Sequence, residues 1–302
     1  HTTGDSPEGS WQTAAMSPEQ LVTVGRVGAL WRYPVKSMLG EPVGPVEIGE
    51  DGLEGDRHFG VVDARTAMVA SAKRPRRWRR LLQLRSEVAG PGVVRIRFPD
   101  GLCVLSSDGV ADKLLSEFLG RDVELKSRAA PGAELERAIP DEVLADGVEA
   151  DTGFTVLEIA AASPPGTFFD FTPLQLLTSA SLERAGALHP AGRVEAARYR
   201  PNVIIDTEPG LSGFVENDWA GHRLHLGPDV VLDVLVPSPR CAVPTLRHGE
   251  LPPDPDALRV PLEHNFVPVP LEGFGSAPCL GVHAVVVQGG RLSPGDEVRL
   301  AG

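Results

Sequence analysis

The sequence predicts a β-rich α+β fold. Its strand-like segments are short and are bounded by Gly, Pro, Asp or Asn, as strands in all-β and mixed folds usually are. The 302 residues include 33 Gly and 28 Pro, and this composition favours frequent turns over long helices. Helical periodicity is confined to a few segments, so we expect sheets to build most of the core.

The predicted strands are rich in β-branched residues and lie along the whole chain. In chain order they are LVTVGRVGALWRYPV, PVEIG, HFGVVD, VVRIRF, DVELKS, LQLLT, NVIID, VVLDVLV, GVHAVVVQ and EVRL. Their short lengths and the turn residues between them are typical of strands in mixed and all-β folds.

Two segments carry helix signals. In SDGVADKLLSEFLG the apolar residues fall on one helical face, Ser107 or Asp108 can cap the N-terminus, and Gly120 can end the helix. In TSASLERAGAL the helix is predicted to begin near Thr178, whose hydroxyl suits an N-cap.

The chain is long enough for two modest domains. Residues 129–164 are rich in Ala, Gly and acidic residues and poor in aromatics, so they are predicted to be a linker or an inserted loop between units at 24–128 and 165–302. Residues 1–20 lack apolar periodicity and are predicted to be a tag or a disordered leader.

The composition narrows the possible partners and compartments. A net charge of −12 argues against nucleic-acid or anionic-membrane binding. No apolar run approaches the about 18 residues of a membrane span. The three cysteines are widely spaced and do not suggest a disulfide framework, so a cytoplasmic location is expected.

The segment KRPRRWRR, residues 73–80, is the exception to the acidic composition. It is consistent with a phosphate or nucleic-acid patch, or with a basic helix face that a packed Trp78 covers. The acidity of the whole chain favours the second interpretation.

Several common catalytic motifs are absent from the sequence. It contains no GxxxxGK[ST] loop, no HExxH pair, no GxSxG elbow and no Gly-rich dinucleotide fingerprint. Three cysteines cannot supply the four thiolates of an ordinary iron–sulfur cluster. The chain therefore has no evident electron-input cofactor of its own.

Cys241 is the most informative candidate for chemistry. It lies in PSPRCAVPT, where prolines stiffen the loop and Arg240 precedes the thiol, an arrangement that favours a thiolate. Burial as a small apolar side chain is the alternative. Cys103 and Cys279 lie in apolar strand runs and are predicted to be core residues, and no orienting motif supports a hydrolase that pairs Cys241 with His264.

A second group of candidates can bind an anion. YPVKS and GLEGDR place Lys36, Ser37 and Arg57 at strand or turn ends, where they can grip a phosphate by charge-assisted hydrogen bonds. RYRPN places Arg200 and Asn202 before a predicted strand. The alternative is that these side chains are solvated or cap turns.

Seven motifs together resemble the MOSC-domain proteins, the family named for the C-terminal domain of molybdenum cofactor sulfurase. In order they are LWRYPVKSMLGEPV, GLEGDRHFGVVD, FTPLQLLTSASL, RYRPN, FVENDW, PSPRCAVPT and GGRLSPGDEVRL. The likeness runs from about residue 24 to 300. It implies a MOSC β-barrel domain preceded by a smaller MOSC N-terminal β-barrel-like domain.

The resemblance also implies a molybdenum cofactor, Mo-molybdopterin, and a set of residues that contact it. Cys241 takes the place of the cysteine that ligates molybdenum in reductase members and carries sulfur in sulfurase members. The implied cofactor-binding residues are Lys36, Ser37 and Arg57 from the N-terminal part, and Thr178, Arg200 and Asn202 from the MOSC side. Ser238 and Pro244 depart from the family pattern, in which a cysteine and a threonine are usual at these positions.

Three functions are compatible with this resemblance. The first is a reductase that acts on N-hydroxylated or N-oxide compounds at a Cys-ligated molybdenum centre. The second is a sulfur carrier or sulfurtransferase that uses a Cys241 persulfide, and the third is a non-catalytic cofactor carrier. A small-molecule substrate and a separate electron-donor protein or cysteine desulfurase are the implied partners.

These assignments require a shared site. Because Lys36 and Arg57 belong to the first predicted unit and Cys241 to the second, the two units are expected to line one cleft.

Overall fold

The computed structural model describes residues 21–271 and 275–302, so the predicted tag or leader at 1–20 lies outside the described residues. The helices, α1 to α5 in chain order, are Pro75–Trp78, Ala111–Leu119, Pro140–Asp146, Ser179–Leu188 and Asp256–His264. The strands, β1 to β19 in chain order, are Leu21–Arg32, Glu41–Val43, Val46–Gly49, Gly52–Leu53, Gly60–Asp63, Arg85–Gly90, Val93–Arg97, Cys103–Leu105, Val123–Lys126, Glu134–Ala138, Phe154–Glu158, Leu174–Thr178, Val203–Thr207, Arg223–Leu226, Val230–Pro239, Phe266–Pro268, Ser276–Gln288, Gly290–Leu292 and Glu297–Ala301.

Seven strands close into a barrel, which confirms the predicted β-rich fold. Their order is β12, β13, β1, β19, β14, β15 and β17, and β17 pairs back to β12. Neighbouring strands are antiparallel except β12 and β13, which run parallel. Buried aliphatic side chains from alternate strand positions fill the interior, as a small barrel requires.

The first strand completes this barrel. β1 pairs with β19 from Leu21↔Ala301 onward and with β13 through Leu30↔Val203. The other barrel strands all come from the predicted unit 165–302. The segment at the start of the predicted unit 24–128 therefore contributes a structural element to the other unit.

Strands β5 to β9 surround a second hydrophobic core with α2. The β5–β9 pair and the β6–β7–β8 sheet pack against this helix, and the rings of Phe98 and Phe118 meet edge to face at 5.5 Å. α2 ends as predicted at Gly120, which has a left-handed φ of 68°. The predicted caps are wrong: Val110 occupies the N-cap position, and Asp108 accepts a hydrogen bond from the Leu105 amide instead.

The predictions for the other helix and for two cysteines have different outcomes. Thr178 caps α4 as predicted, because its Oγ1 accepts a hydrogen bond from the Ser181 amide at 3.1 Å. Cys279 is buried as predicted. Cys103 is exposed, so its assignment to the core is wrong; in the short strand β8 the buried position falls on Val104 instead.

The segment 129–164, predicted as a linker or inserted loop, contains β10, α3 and β11, with β10 and β11 paired antiparallel. The basic residues at 73–80 hold it against the N-terminal part. Arg77 Nη1 donates to both carboxylate oxygens of Glu136 at 2.8 and 2.9 Å, and Arg79 pairs with Glu149 at 2.5 Å. Trp78 is buried, so this stretch fits a packed basic helix face better than a free phosphate patch.

We expect Glu136→Gln to lower the free energy of unfolding by about 1–3 kcal/mol, because it leaves the buried guanidinium of Arg74 and the half-buried one of Arg77 without their carboxylate. Glu136 is 9% exposed, whereas the side chain of Glu149 is 78% exposed. The matched control Glu149→Gln should change stability by less than about 0.5 kcal/mol. Urea unfolding of both variants checks this, and equal losses would contradict it.

Candidate functional site

A cavity of about 420 Å³ lies between the two parts of the molecule. Its walls come from the N-terminal part, from β10 and β11, and from strands and loops of the barrel. It brings together Lys36 and Arg57 with Cys241, as the expectation of a shared cleft required. The cavity size suits a small-molecule or cofactor site.

The loop that carries Cys241 leaves the barrel at the end of β15. Pro237 and Pro239 still pair with β17, and the Arg240 amide donates to the Pro278 carbonyl at 2.8 Å. A 3-10 turn at Val243–Thr245 follows directly. The half-buried Cys241 is therefore held between two anchored segments and faces the cavity.

The Arg240 side chain anchors this loop to neighbouring backbone carbonyls. Its buried guanidinium donates to the carbonyls of Tyr199 and Leu280 and lies 5.3 Å from the centre of the Tyr199 ring. Burial lowers the pKa of Arg240 to about 10, so the group stays charged at neutral pH. The sequence suggested that Arg240 acts on the thiol, but its hydrogen bonds go to the backbone.

The buried Lys36, the half-buried Lys73 and the partly exposed Asp170 form one wall of the cavity. Lys36 Nζ donates to the Phe168 carbonyl at 2.8 Å and to Asp170 Oδ1 at 2.5 Å, and Lys73 Nζ lies 3.1 Å from the other carboxylate oxygen. Burial lowers the pKa of Lys36 to about 8, although Asp170 opposes this effect. Burial alone would raise the pKa of Asp170, but the two ammonium groups lower it below its usual range.

The two arginines form the adjoining wall. Arg57 pairs with the fully buried Asp56 and donates to Asn202 Oδ1 at 3.3 Å. Arg200 donates to the Met38 carbonyl at 2.6 Å. Both guanidinium groups lie over the ring of Tyr33, at 4.9 and 4.4 Å from its centre. Burial, together with the nearby charge of Arg57, lowers the pKa of Arg200 to about 10, so the Arg200 guanidinium is cationic at neutral pH.

The backbone at this wall is strained. Ser37, Arg57 and Arg200 have positive φ angles of 64°, 50° and 58°. They are three of the five non-glycine residues with positive φ in the described ranges. Left-handed backbone at non-glycine residues is unfavourable and concentrates at functional sites, so this supports a binding role for the wall.

Six of the seven predicted site residues line the cavity, namely Lys36, Ser37, Arg57, Arg200, Asn202 and Cys241. Thr178 lies elsewhere. Besides capping α4, its hydroxyl donates to the buried carboxylate of Glu216 at 2.7 Å. Glu216 also accepts from Ser181 and from the Gly281 amide, so this network joins α4 to the barrel.

The sequence interpretation missed several lining residues: Lys73, Asp170, Thr172 and His283. Lys73 was counted with the basic stretch, and His283 was counted as part of a strand. Asp170 and Thr172 lie in FFDFTP, where an acidic residue between aromatics just before a buried strand was the available signal. Its lysine partners are distant in sequence, so the local sequence does not indicate them.

The two halves of the chain match two family models. The model of the MOSC N-terminal beta barrel domain matches residues 24–122, and the model of the MOSC domain matches residues 166–299. The chain therefore belongs to the MOSC-domain family.

Known proteins with sequences similar to this chain are about 25% identical to it. Mitochondrial amidoxime reducing component 2 of Homo sapiens is 26% identical over 304 residues, which cover 92% of this chain and 84% of that protein. Mitochondrial amidoxime-reducing component 1 of Homo sapiens is 25% identical over 316 residues, which cover 93% and 85%. Among solved structures, the YUAD protein from Bacillus subtilis aligns with a TM-score of 0.43 and 13% identity over 93% of this chain and 97% of that one.

The helices of the described residues are short. None of those within 21–271 and 275–302 is long and apolar enough to cross a membrane.

Proposed function

We propose that this protein is a molybdenum cofactor-dependent reductase that acts on N-hydroxylated or N-oxide compounds. The observation that carries the proposal is that one cavity presents both the Cys241 thiol and a cluster of buried and half-buried cations. The similarity to amidoxime reducing components supports the same reaction class.

The lining residues fit such a cofactor. Its pterin ends in a phosphate, and the cavity wall offers Lys36, Lys73, Arg57 and Arg200 for charge-assisted hydrogen bonds. Within the described part of the chain, Arg200 Nη2 is buried without a hydrogen-bond partner, as a donor awaiting an anion would be. A cysteine thiolate is a natural ligand for a soft, redox-active metal.

Each group then has a defined task. Cys241 would ligate the metal from its anchored loop, and the cationic wall would hold the phosphate end. When bound, the cofactor supplies two-electron chemistry at the oxygen of the substrate. For a hydroxylamine the balance is R–NHOH + 2 e⁻ + 2 H⁺ → R–NH₂ + H₂O: the N–O bond breaks, and a separate electron-donor protein supplies both electrons.

The test is to produce the protein in a host that makes the cofactor. We expect bound molybdenum and pterin in equal amounts, and reduction of benzamidoxime with an artificial electron donor. Cyanide-labile sulfur on Cys241 without reduction would favour the sulfurtransferase. Bound cofactor with neither reduction nor sulfur transfer would favour a cofactor carrier.

The pKa of Lys36 predicts a pH dependence for cofactor retention. Its ammonium is charged below about pH 8 and neutral above it, because burial lowers the pKa to about 8. Retention of the phosphate should therefore fall as the pH rises from 7 to 9. Pterin fluorescence after gel filtration at each pH measures this, and Lys36→Met should retain less pterin with a flatter profile.

The lowered pKa of Lys36 also predicts that the stability of the cofactor-free protein depends on pH. The pKa of Lys36 is lowered from 10.5 in the unfolded chain to about 8, so the unfolded state binds more protons between these values. The contribution of Lys36 to stability should therefore rise with pH in this window. A steeper rise in Lys36→Met than in the unmodified protein would contradict this assignment.

A further inference from the structure

A chain of hydrogen bonds crosses the cavity wall beside the Cys241 loop. Thr172 Oγ1 lies 2.9 Å from the Leu174 carbonyl and 2.9 Å from His283 Nδ1, and His283 Nε2 lies 3.1 Å from Ser238 Oγ. Thr172, His283 and Ser238 all line the cavity. Ser238 lies at the end of β15, three residues before Cys241.

The chain of contacts has a preferred polarity. A hydroxyl has one hydrogen, and the Leu174 carbonyl can only accept, so Thr172 must donate to it if that hydrogen bond is made. Thr172 Oγ1 then accepts from His283 Nδ1–H, and His283 Nε2 accepts from the Ser238 hydroxyl. The opposite polarity makes two of the three hydrogen bonds and leaves the Leu174 carbonyl without the threonine donor.

The imidazole remains neutral in this arrangement. Burial, with a contribution from the charge of Arg240, lowers the pKa of His283 to about 3. The ring also meets Phe171 edge to face at 5.5 Å, which holds its plane. A neutral ring with its hydrogen on Nδ1 presents a lone pair at Nε2, toward Ser238.

This polarity determines what Ser238 can do. Ser238 is buried, and it donates its only hydroxyl hydrogen to His283. Its oxygen can offer the cavity lone pairs but no donor. We propose that Ser238, oriented by His283 and Thr172, is a specificity-determining residue that accepts a hydrogen bond from an N–H or O–H group of the substrate. This proposal rests on the proposed reductase function and narrows its substrate class.

The two substrate classes differ in this property. An amidoxime carries an amino group and a hydroxyl, so it can donate to Ser238. A tertiary amine N-oxide carries an oxygen that only accepts, and it would leave the Ser238 lone pairs unpaired and desolvated, which is unfavourable. The site therefore selects N-hydroxylated compounds that bear N–H groups over tertiary N-oxides.

The polarity can be tested without cofactor or turnover. Long-range ¹H–¹⁵N correlation spectra of the cofactor-free protein should show His283 as the neutral Nδ1–H tautomer at pH 7. Thr172→Val removes the acceptor at Nδ1 and should shift the ring toward the Nε2–H tautomer. A neutral Nε2–H ring or a charged ring in the unmodified protein would overturn the proposal.

The selectivity is tested with two variants and two substrates. We expect the ratio of kcat/KM for benzamidoxime to that for trimethylamine N-oxide to fall at least about tenfold in Ser238→Ala, which removes the acceptor. It should also fall in His283→Leu, which frees the hydroxyl hydrogen for donation to an N-oxide. Ser86→Ala is the matched control, because Ser86 is as buried but lies in the N-terminal core, and it should leave the ratio unchanged.

A binding measurement separates this proposal from the reductase function. Benzamide is neutral and carries N–H donors, so calorimetry with the cofactor-free protein should show weaker binding in Ser238→Ala than in Ser86→Ala. This result and the tautomer would stand even if no reduction were detected. An unchanged substrate ratio in Ser238→Ala would overturn the proposal, because the acceptor would then have no role in selectivity. Loss of pterin retention alone in Ser238→Ala would also overturn it, because Ser238 would then contact the cofactor and not the substrate.

Discussion

Cys241→Ser is expected to abolish reductase activity while it shifts the Tm by no more than about 2–4 °C, the change that roughly 1 kcal/mol produces in a chain of this size. The serine keeps the size of the side chain but replaces a soft thiolate by a poor ligand. Changes beside metal ligands already reduce activity about 10–100-fold, so loss of the ligand itself should exceed about 100-fold. Molybdenum content, turnover and thermal melting of the same preparation measure the effect.

Cys279→Ser is the matched control. Cys279 is 0% exposed and packs with Val236 and Val269, so a hydroxyl there should lower stability by about 1–3 kcal/mol and leave turnover per bound molybdenum intact. Full metal content and turnover in Cys241→Ser would show that the thiol has no role in the reaction. A loss of stability without a loss of turnover would make Cys241 a packing residue.

Arg57→Ala should reduce pterin retention by about 10–100-fold, the effect of removing one charge-assisted phosphate contact. The side chain of Arg57 is 14% exposed and is held between Asp56, Asn202 and two aromatic rings, so little entropy is lost when it binds. Fluorescence of pterin bound after gel filtration reports the loss. Arg57→Lys is the companion variant, because it keeps a cation beside the buried Asp56 while it removes the planar fork.

Arg79→Ala provides the control for this change. Arg79 belongs to the basic stretch, and it pairs with an exposed glutamate rather than with a cavity residue. Its loss should leave pterin retention within about twofold, since exposed ion pairs contribute little. Equal losses from Arg57→Ala and Arg79→Ala would mean that the basic stretch holds the anion instead.

The fold was predictable where short-range chemistry decides it. Strand residues, turn residues and the glycine end of α2 act over a few positions, and the structure follows them. The predicted N-cap at Ser107 or Asp108 was wrong because the Asp108 carboxylate accepts a hydrogen bond from the Leu105 amide in the preceding turn. The prediction that Cys103 is a core residue was wrong because a three-residue strand has two faces, and composition does not tell which face is buried.

The site residues that lie in a recognisable motif were predictable from the sequence. Site residues that depend on contacts between distant parts of the chain were less predictable. Thr178 shows the difference, because its hydroxyl serves both the start of α4 and the carboxylate of Glu216, a residue 38 positions away. Asp170 shows it too: it pairs with Lys36 across 134 positions, and its proximity to aromatics gives no hint of that partner. Such contacts depend on the tertiary fold and are not encoded locally.

The place of β1 has a consequence for synthesis on the ribosome. β1 pairs with β19, whose last residue is Ala301, so the barrel cannot close until nearly the whole chain has emerged. At about 5–20 residues per second, the first strand waits on the order of tens of seconds with an unpaired edge. An unpaired strand edge invites pairing with other chains. Low temperature or chaperones that hold this strand should therefore raise the yield of folded protein, and expressing residues 166–299 alone should give a barrel with an open seam that aggregates.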